Sequence, residues 1–482
     1  MVIKIGQNES LTNIEVLKKL FQKSADVTFQ KYKFQKQTVH LITCDAMYDT
    51  YLFNKLVIER IGFFCNNLVG SLEKRILVDL HLPILKKVNT EQEAIKIVYR
   101  GFVLIYFEEE KLLYSCNIAL KPNRKIKETN LEATILGPRD NFIEDIDINI
   151  ALIRKRLPTN SLAVENLEIG KRSQTKVAIL YLDDIANEQT LRQIKKSLKN
   201  VDTDIIVSGD LLLEHVFKKV GLFPKSQYTG KADFALQALV RGRFLILVDG
   251  VSYALILPVN FFLLVKSSED IEYLPLYTSI VRLLRIVGIS LGTFLPGFWI
   301  ALTEFHQEQL PFQLIATVVQ SRSGIPLPAV FEMLIMLFIF DLLKESGLRL
   351  PSSLGSILGV IGGLIIGNAS IKAGLTSQSM ILIIAVSTVS TFMLVNQALI
   401  TSVSIVRYIF VIASGFLGLF GFFMTLFFLV IYLSNIRVFG VSYMNLFGDL
   451  SWKTVMSSVF RLPAKSYKTR PEMLKTKDKT RS

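Results

Sequence analysis

The chain has 482 residues, half of them hydrophobic and only 20% charged, with a formal net charge of +14 and a mean hydropathy of +0.41. That length allows roughly three domains at ~150 residues each. Such apolarity excludes a disordered chain and is high for a soluble enzyme. Residues 1–281 hold 38 basic and 33 acidic residues, residues 282–460 hold 9 and 6, and residues 461–482 hold 8 and 2. The charge thus divides the sequence into a soluble half, a membrane half and a short basic tail. Near-balance in the soluble half speaks against nucleic acid, and Lys/Arg beside apolar spans set topology or meet anionic lipid. Cys44, Cys65 and Cys116 are odd in number and lack metal or disulfide spacing, so reduced thiols and a cytoplasmic soluble half are expected. Nothing near Met1 reads as a signal peptide.

The soluble half is expected to be α/β, in two subdomains spanning residues 1–125 and 130–278. Asp26–Phe34 and Val39–Asp45 alternate as a hairpin would, Tyr48–Leu68 and Thr90–Val98 read as amphipathic helices, and Phe102–Phe107 with Leu112–Ile118 form a second strand pair. A break without periodicity falls at Lys121–Thr129. Beyond it, Lys176–Leu182 and Asp204–Val207 read as strands, Glu188–Leu198 and Leu211–Lys219 as helices. Arg243–Val265 is apolar enough for a membrane span, but Asp249-Gly250 is a hairpin turn pair between two β-rich runs. We read it as a hairpin.

Residues 279–440 are expected to be an all-α polytopic membrane domain. Its apolar stretches are Leu283–Thr303, Leu327–Phe340, Leu354–Ile371, Met380–Ile400 and Ile409–Leu433, while Pro311–Val319 is too short to cross and lies at the interface or re-enters. Arg282 and Arg285 before the first span, Lys344 and Arg349 after the second, and the basic 441–482 tail place both ends in the cytoplasm. Five full spans cannot do that. One stretch must fail to cross, or Pro311–Val319 must add a pass.

From Gly137 to Leu350, and more loosely to Gly440, the chain resembles the A subunit of spore germinant receptors, the GerA family. The residues that carry this are Gly137-Pro138, Phe142–Ile146 and Asn149–Arg156, then Gly242-Arg243 with Leu247–Gly250, and Arg282–Arg285. Further on stand Phe305-His306-Gln307, Leu310-Pro311, Arg322, Ile325-Pro326, Pro328, Glu332, Glu345–Pro351, and Gly362-Gly363 with Ile366-Gly367. The chain departs from the family after Phe223-Pro224, where it keeps only Thr229 and Asp233 of an acidic-Arg-Pro-Asp run, and at Asp341 and Lys344, which conserve charge. The resemblance implies a multi-pass protein of the spore inner membrane, working with a transporter-like B subunit and a lipoprotein C subunit. It also implies a homo-oligomer, a pentamer in our reading, acting as a nutrient-gated cation channel.

No catalytic signature is present, and neither enzyme activity nor a cofactor is expected. The four histidines are unpaired at any metal spacing, no phosphate-cradling loop exists, and Asp183-Asp184 reads as a helix-capping loop. Glu332 lies in an apolar helix, where an ionised carboxylate costs roughly 2.5–3.5 kcal/mol at mid-span. Two readings stand: a solvated residue near an interface just after Pro328, or a cation-attracting group facing a pore or subunit interface. Asp341, Glu345 and Arg349 share a helix face; Asp341 and Lys344 read as a solvated helix end, Glu345 and Arg349 as a structural latch. The Gly-rich stretch admits close packing, but Val360, Ile361, Leu364 and Ile365, with Asn368 below, would line a hydrophobic gate if copies surround an axis. The alternatives are a membrane transporter, for which no internal repeat is seen, or a membrane-anchored small-molecule-binding protein.

Overall fold

The computed structural model describes residues 13–34, 37–67, 72–120, 140–217, 221–348, 365–444, 459–463 and 469–480, with Gly363, Met456 and Lys465 as single further positions. The chain divides into two compact units. One joins Met1–Val220, Tyr228–Pro258 and Tyr467–Ser482; the other joins Gly221–Gln227 and Val259–Ser466.

Two five-stranded sheets organise the first unit. In one, β1 (Val27–Lys33), β2 (Thr38–Cys44), β3 (Lys86–Lys87), β4 (Val103–Phe107) and β5 (Leu112–Cys116) take the order β1-β2-β4-β5-β3, antiparallel throughout. Both expected hairpins form. Side chains alternate across a strand, so β2 and β4 serve two cores. Val39, Leu41, Val103 and Ile105 meet Val57, Ile61 and Phe64 on one face. Ile42, Cys44 and Leu104 meet Leu17, Val98 and Tyr99 on the other. Burial on both faces leaves β4 apolar throughout, while β2 carries Thr38, His40 and Thr43 among its apolar residues. The expected helices occupy residues 50–66, with a π-wound middle at Phe53–Ile58, and Glu91–Val98. Asp49 caps the first and Thr90 the second, each accepting hydrogen bonds from first-turn backbone N–H groups.

In the second sheet, β6 (Leu162–Ile169), β7 (Thr175–Leu182), β8 (Gln227–Thr229), β9 (Phe244–Val248) and β10 (Ala254–Leu257) take the order β6-β7-β9-β10-β8. Helices Glu188–Lys199 and Gly209–Phe217 stand where periodicity placed them. Arg243–Val265 supplies the β9–β10 hairpin, turning at Asp249-Gly250 with Gly250 at φ +80°, a left-handed conformation glycine adopts without steric cost. Asp204–Val207 is not a strand. Its stretch of chain serves the Gly170 turn instead: Lys171 N and Arg172 N donate to the Thr203 and Asp204 carbonyls, both at 2.9 Å. Periodicity gave no sign of β6, whose apolar residues are interrupted by Glu165, Asn166 and Glu168, nor of helix Ile146–Arg156. The break at Lys121–Thr129 lies outside the described residues.

The sheets are joined by backbone and by charge. Ala25 N donates to Val164 O at 3.0 Å and Val164 N to Lys23 O at 2.9 Å. The basic tail also packs into this unit. Arg470 Nε donates to Val240 O at 3.0 Å, Lys477 N to Ile185 O at 2.9 Å, and Asn187 Nδ2 to Lys475 O at 2.8 Å. The Lys477 ammonium pairs with Glu188 at 2.8 Å. Protein groups hold these two tail residues.

The second unit is helical: Pro275–Ile300 runs through a π-turn to Phe305, followed by Phe312–Arg322, Ala329–Leu348, residues 365–372, Gln378–Thr391 and Gln397–Asn435. Pro275–Phe305 and Gln397–Asn435 are long and apolar enough to cross a membrane. At 1.5 Å per residue, the 14-residue Gln378–Thr391 reaches only ~21 Å. The boundaries expected from hydropathy shift in two places. Met380–Ile400 breaks at residues 392–396, where Asn396 Oδ1 accepts from Leu399 N at 2.9 Å and starts a new helix. Ile409–Leu433 is not one pass either. Gly418 has φ 59° and ψ −140° inside the last helix, and the chain folds back there. The Phe410 and Phe422 rings lie 5.2 Å apart, whereas 12 residues of straight helix span ~18 Å. At the far ends, Asn396 Nδ2 donates to Gln227 Oε1 at 2.6 Å and Leu222 N donates to Tyr432 Oη at 2.9 Å. Gln227 and Leu222 are at most ~18 Å of extended chain apart, while a straight helix would separate residues 396 and 432 by ~54 Å.

Candidate functional site, a buried carboxylate cluster

Helix Ala329–Leu348 begins beside two carboxylates. Glu304, on the π-turn closing the first long helix, accepts from Ala329 N at 2.7 Å through Oε1 and so caps the helix. Glu332, one turn further, is wholly enclosed (0% exposed). Its Oε1 accepts from Thr376 Oγ1 at 2.8 Å, Ser377 N at 2.6 Å and Ser377 Oγ at 3.0 Å. Those three donors come from the turn between residues 365–372 and Gln378–Thr391. Glu332 Oε2 is buried without a hydrogen-bond partner. Arg322, at the end of helix Phe312–Arg322, stands between the carboxylates: Nη2 lies 3.2 Å from Glu304 Oε1 and Nε 4.0 Å from Glu332 Oε2. A cleft of about 330 Å³ opens against Arg322, lined also by Thr303, Gln307, Val318 and Ser323. The reading of Glu332 as a solvated interfacial residue is corrected: neighbouring helices and the 376–377 turn cover it.

A second pair crosses the same unit. Arg407 Nη2 donates to both Asp341 oxygens at 3.0 and 3.1 Å, and Tyr408 Oη donates to Asp341 Oδ2 at 2.7 Å. Asp341 is therefore no solvated helix end; the buried guanidinium of Arg407 takes it up. Glu345 is exposed, and Arg349 lies outside the described residues. Of the gate candidates, Val360, Ile361 and Leu364 also lie outside them, while Ile365 and Asn368 are exposed on the 365–372 helix. Arg282 and Arg285, expected as topology charges, converge on buried Asp270 at 2.7 and 2.8 Å.

Sequence reasoning missed Arg322, Glu304, Thr376 and Ser377 as companions of Glu332, and Arg407 and Tyr408 as partners of Asp341. A signal existed: in so apolar a half each ionisable residue is expensive and should have been sought in a pair. The quoted Asn149–Arg156 motif proves architectural. Asn149 bonds both to Ile143 N at 2.8 Å and Ile143 O at 2.6 Å, and Gly250 N donates to Glu144 O at 2.8 Å.

Two antiparallel sheets packed with helices are followed by a helical unit with two helices long and apolar enough to cross a membrane. The chain belongs to the GerA family: the family model described as Bacillus/Clostridium GerA spore germination protein matches residues 15–473. Among its relatives, spore germination protein XA of Bacillus anthracis is 39% identical over 479 residues, covering 97% of each chain. Spore germination protein KA of Bacillus subtilis (strain 168) is 29% identical over 475 residues, covering 97% of this chain and 87% of that one. The crystal structure of the N-terminal domain of the A subunit of the Bacillus megaterium spore germinant receptor GerK3 is 20% identical, with a TM-score of 0.39, over 52% of this chain and 94% of that one. That likeness is too distant to bear on the site.

Proposed function

We propose that this chain is the A subunit of a spore germinant receptor that responds to nutrients as an oligomeric, pentameric cation channel in the spore inner membrane. Its partners in this reading are a transporter-like B subunit and a lipoprotein C subunit, as the sequence resemblance implies. The observation that carries the reading is the retention of enclosed charge inside an apolar helical unit, Glu332 above all. Charge there is costly and is kept where ions or their pathway need it. Residues Val360, Ile361, Leu364, Ile365 and Asn368 are the proposed gate, and Glu345 with Arg349 the proposed latch.

The fold supports a topology with both ends in the cytoplasm. With Pro258 and Tyr467 in the same unit, this reading expects an even number of crossings between them. Pro275–Phe305 and Ala329–Leu348 are one out-and-back pair, and the two arms around Gly418 are another. Residues 365–372 and Gln378–Thr391 turn back on each other, so that a Cβ at Gly367 would stand 3.9 Å from the Ile381 side chain; whether both cross or neither does, the parity holds. Pro311–Val319 is not needed as a pass.

The test is cation conductance of the purified chain in liposomes, with oligomer mass measured in the same lipid. Leu364→Ala and Ile361→Ala should leak cations without nutrient. Variants that assemble, stay tight and respond as wild type would make this segment packing and not gate.

A further inference from the structure

Two carboxylates share one guanidinium at the start of helix Ala329–Leu348. Among the described residues, Arg322 is the only ion-pair partner of Glu304 and of Glu332. With all three groups ionised the cluster keeps one negative charge uncompensated, and Glu332 is 0% exposed. Its two oxygens differ. Oε1 is saturated by three donors; Oε2 has none, with the nearest cationic nitrogen 4.0 Å away, beyond hydrogen-bond reach. Buried carboxylate oxygens are normally satisfied, and an orphan calls for an ion or a donor.

The surroundings supply what a small cation takes in place of water. Ser377 Oγ lies 3.0 Å from Glu332 Oε1 and 3.3 Å from Ser379 Oγ, which lies 3.1 Å from Ser321 Oγ. Neutral hydroxyls from two segments, Ser377–Ser379 and Ser321, thus gather on the Oε1 side of the carboxylate. Hard oxygen ligands of this kind suit alkali ions and primary ammonium groups alike. A cleft of about 330 Å³ reaches Arg322, the one residue of the cluster in its lining. An anion is disfavoured by the net charge, and a divalent ion would leave the cluster overcompensated.

We propose that the Glu304–Arg322–Glu332 cluster binds one monovalent cation, an alkali ion or a primary ammonium group, with Glu332 Oε2 as its anionic ligand. The biological use of such a site rests on the channel reading above; the binding itself does not.

The test is equilibrium dialysis of the full chain in detergent, in a buffer whose only other cation is bulky and organic. Rubidium-86 and methylammonium are each measured alone. One saturable site per chain is expected, and the probe that fills it assigns alkali ion or ammonium. Glu332→Gln should weaken binding at least about tenfold, the loss expected for one charged contact. Glu304→Gln, at a half-exposed position, should weaken it too and stands in if Glu332→Gln fails to fold. Arg322→Gln frees a second carboxylate and should strengthen binding, which a purely structural cluster would not do. Absence of saturable binding of either probe, or binding unchanged in both Gln variants, overturns the proposal. Saturable binding of either probe without liposome conductance would sink the channel and keep the site; conductance without saturable binding of either probe would do the reverse.

Discussion

Asp26 and Arg154, 128 residues apart, form a buried fork that fastens one sheet of the first unit to the other. Arg154 Nε and Nη2 meet the two Asp26 oxygens at 2.9 and 2.7 Å. Its Nη1 donates to the carbonyls of Thr159 and Leu162 at 3.1 and 3.0 Å, and the guanidinium stacks 4.1 Å from the Tyr99 ring centre. Both side chains are almost wholly excluded from water. A pair so enclosed adds little net energy when intact, yet leaves an uncompensated buried charge when halved. Arg154→Gln should therefore cost about 3–5 kcal/mol, read as a fall in chemical-denaturation midpoint of the full chain. Asp26→Asn combined with Arg154→Gln should recover part of it. A double variant as weak as the sum of the singles would count against coupling.

Asp341 makes a milder case. Tyr408→Phe removes one hydrogen bond to a charged acceptor, worth about 1.5 kcal/mol. Arg407→Gln removes the charge that holds Asp341 and should cost more. The check is the melting temperature of the purified chain in detergent, and the ranking is the claim: a Phe variant less stable than the Gln variant would refute it.

Gly418 is where the last long helix turns back. At φ 59° and ψ −140° a side chain is strained, and its Cβ would stand 2.9 Å from the Phe305 Cβ. Gly418→Ala should cost at least about 1–3 kcal/mol and lower the yield of folded protein. A cysteine at position 396 and one at position 437 should be labelled from the same side of the membrane. Opposite-side labelling would mean a single straight pass.

Burial lifts the Asp45 carboxyl to about 6, against a 3.3 Å hydrogen bond from Thr28. The unfolded value is ~3.9, so the folded chain holds this proton more tightly. Stability linked to the group is present at low pH and lost as pH rises through 6. Asp45→Asn should melt higher than wild type at pH 7.5 and lose most of that advantage at pH 4.5. An equal gain at both values would show that charge is not the cause.

Tail contacts predict a role for the last residues in stability. Truncation after residue 466 removes the Arg470 and Lys477 bonds to Val240, Ile185 and Glu188. Protease protection of the 183–188 segment should fall in the truncated chain. Unchanged protection, with the tail shown to bind anionic vesicles instead, would return it to the lipid.

What the sequence determined by itself was everything set by local periodicity and composition. Two alternating runs became β1 and β2, a second strand pair became β4 and β5, Asp249-Gly250 made its hairpin, and the charge profile separated the mixed half from the helical one. The Asn149–Arg156 pattern was visible too, as a likeness. Tertiary structure alone decided the rest, because it depends on partners far along the chain. Glu332 is enclosed because a turn 44 residues later wraps its carboxylate, and Asp341 is paired because Arg407 reaches it across another helix. A hydropathy window cannot see that Gly418 reverses a helix, since an apolar residue on either arm contributes the same transfer energy whichever way the chain runs. Nor can spacing show which oxygen of Glu332 is left without a donor. That is a matter of three-dimensional hydrogen-bond accounting, where each group's cost is set by its neighbours in space.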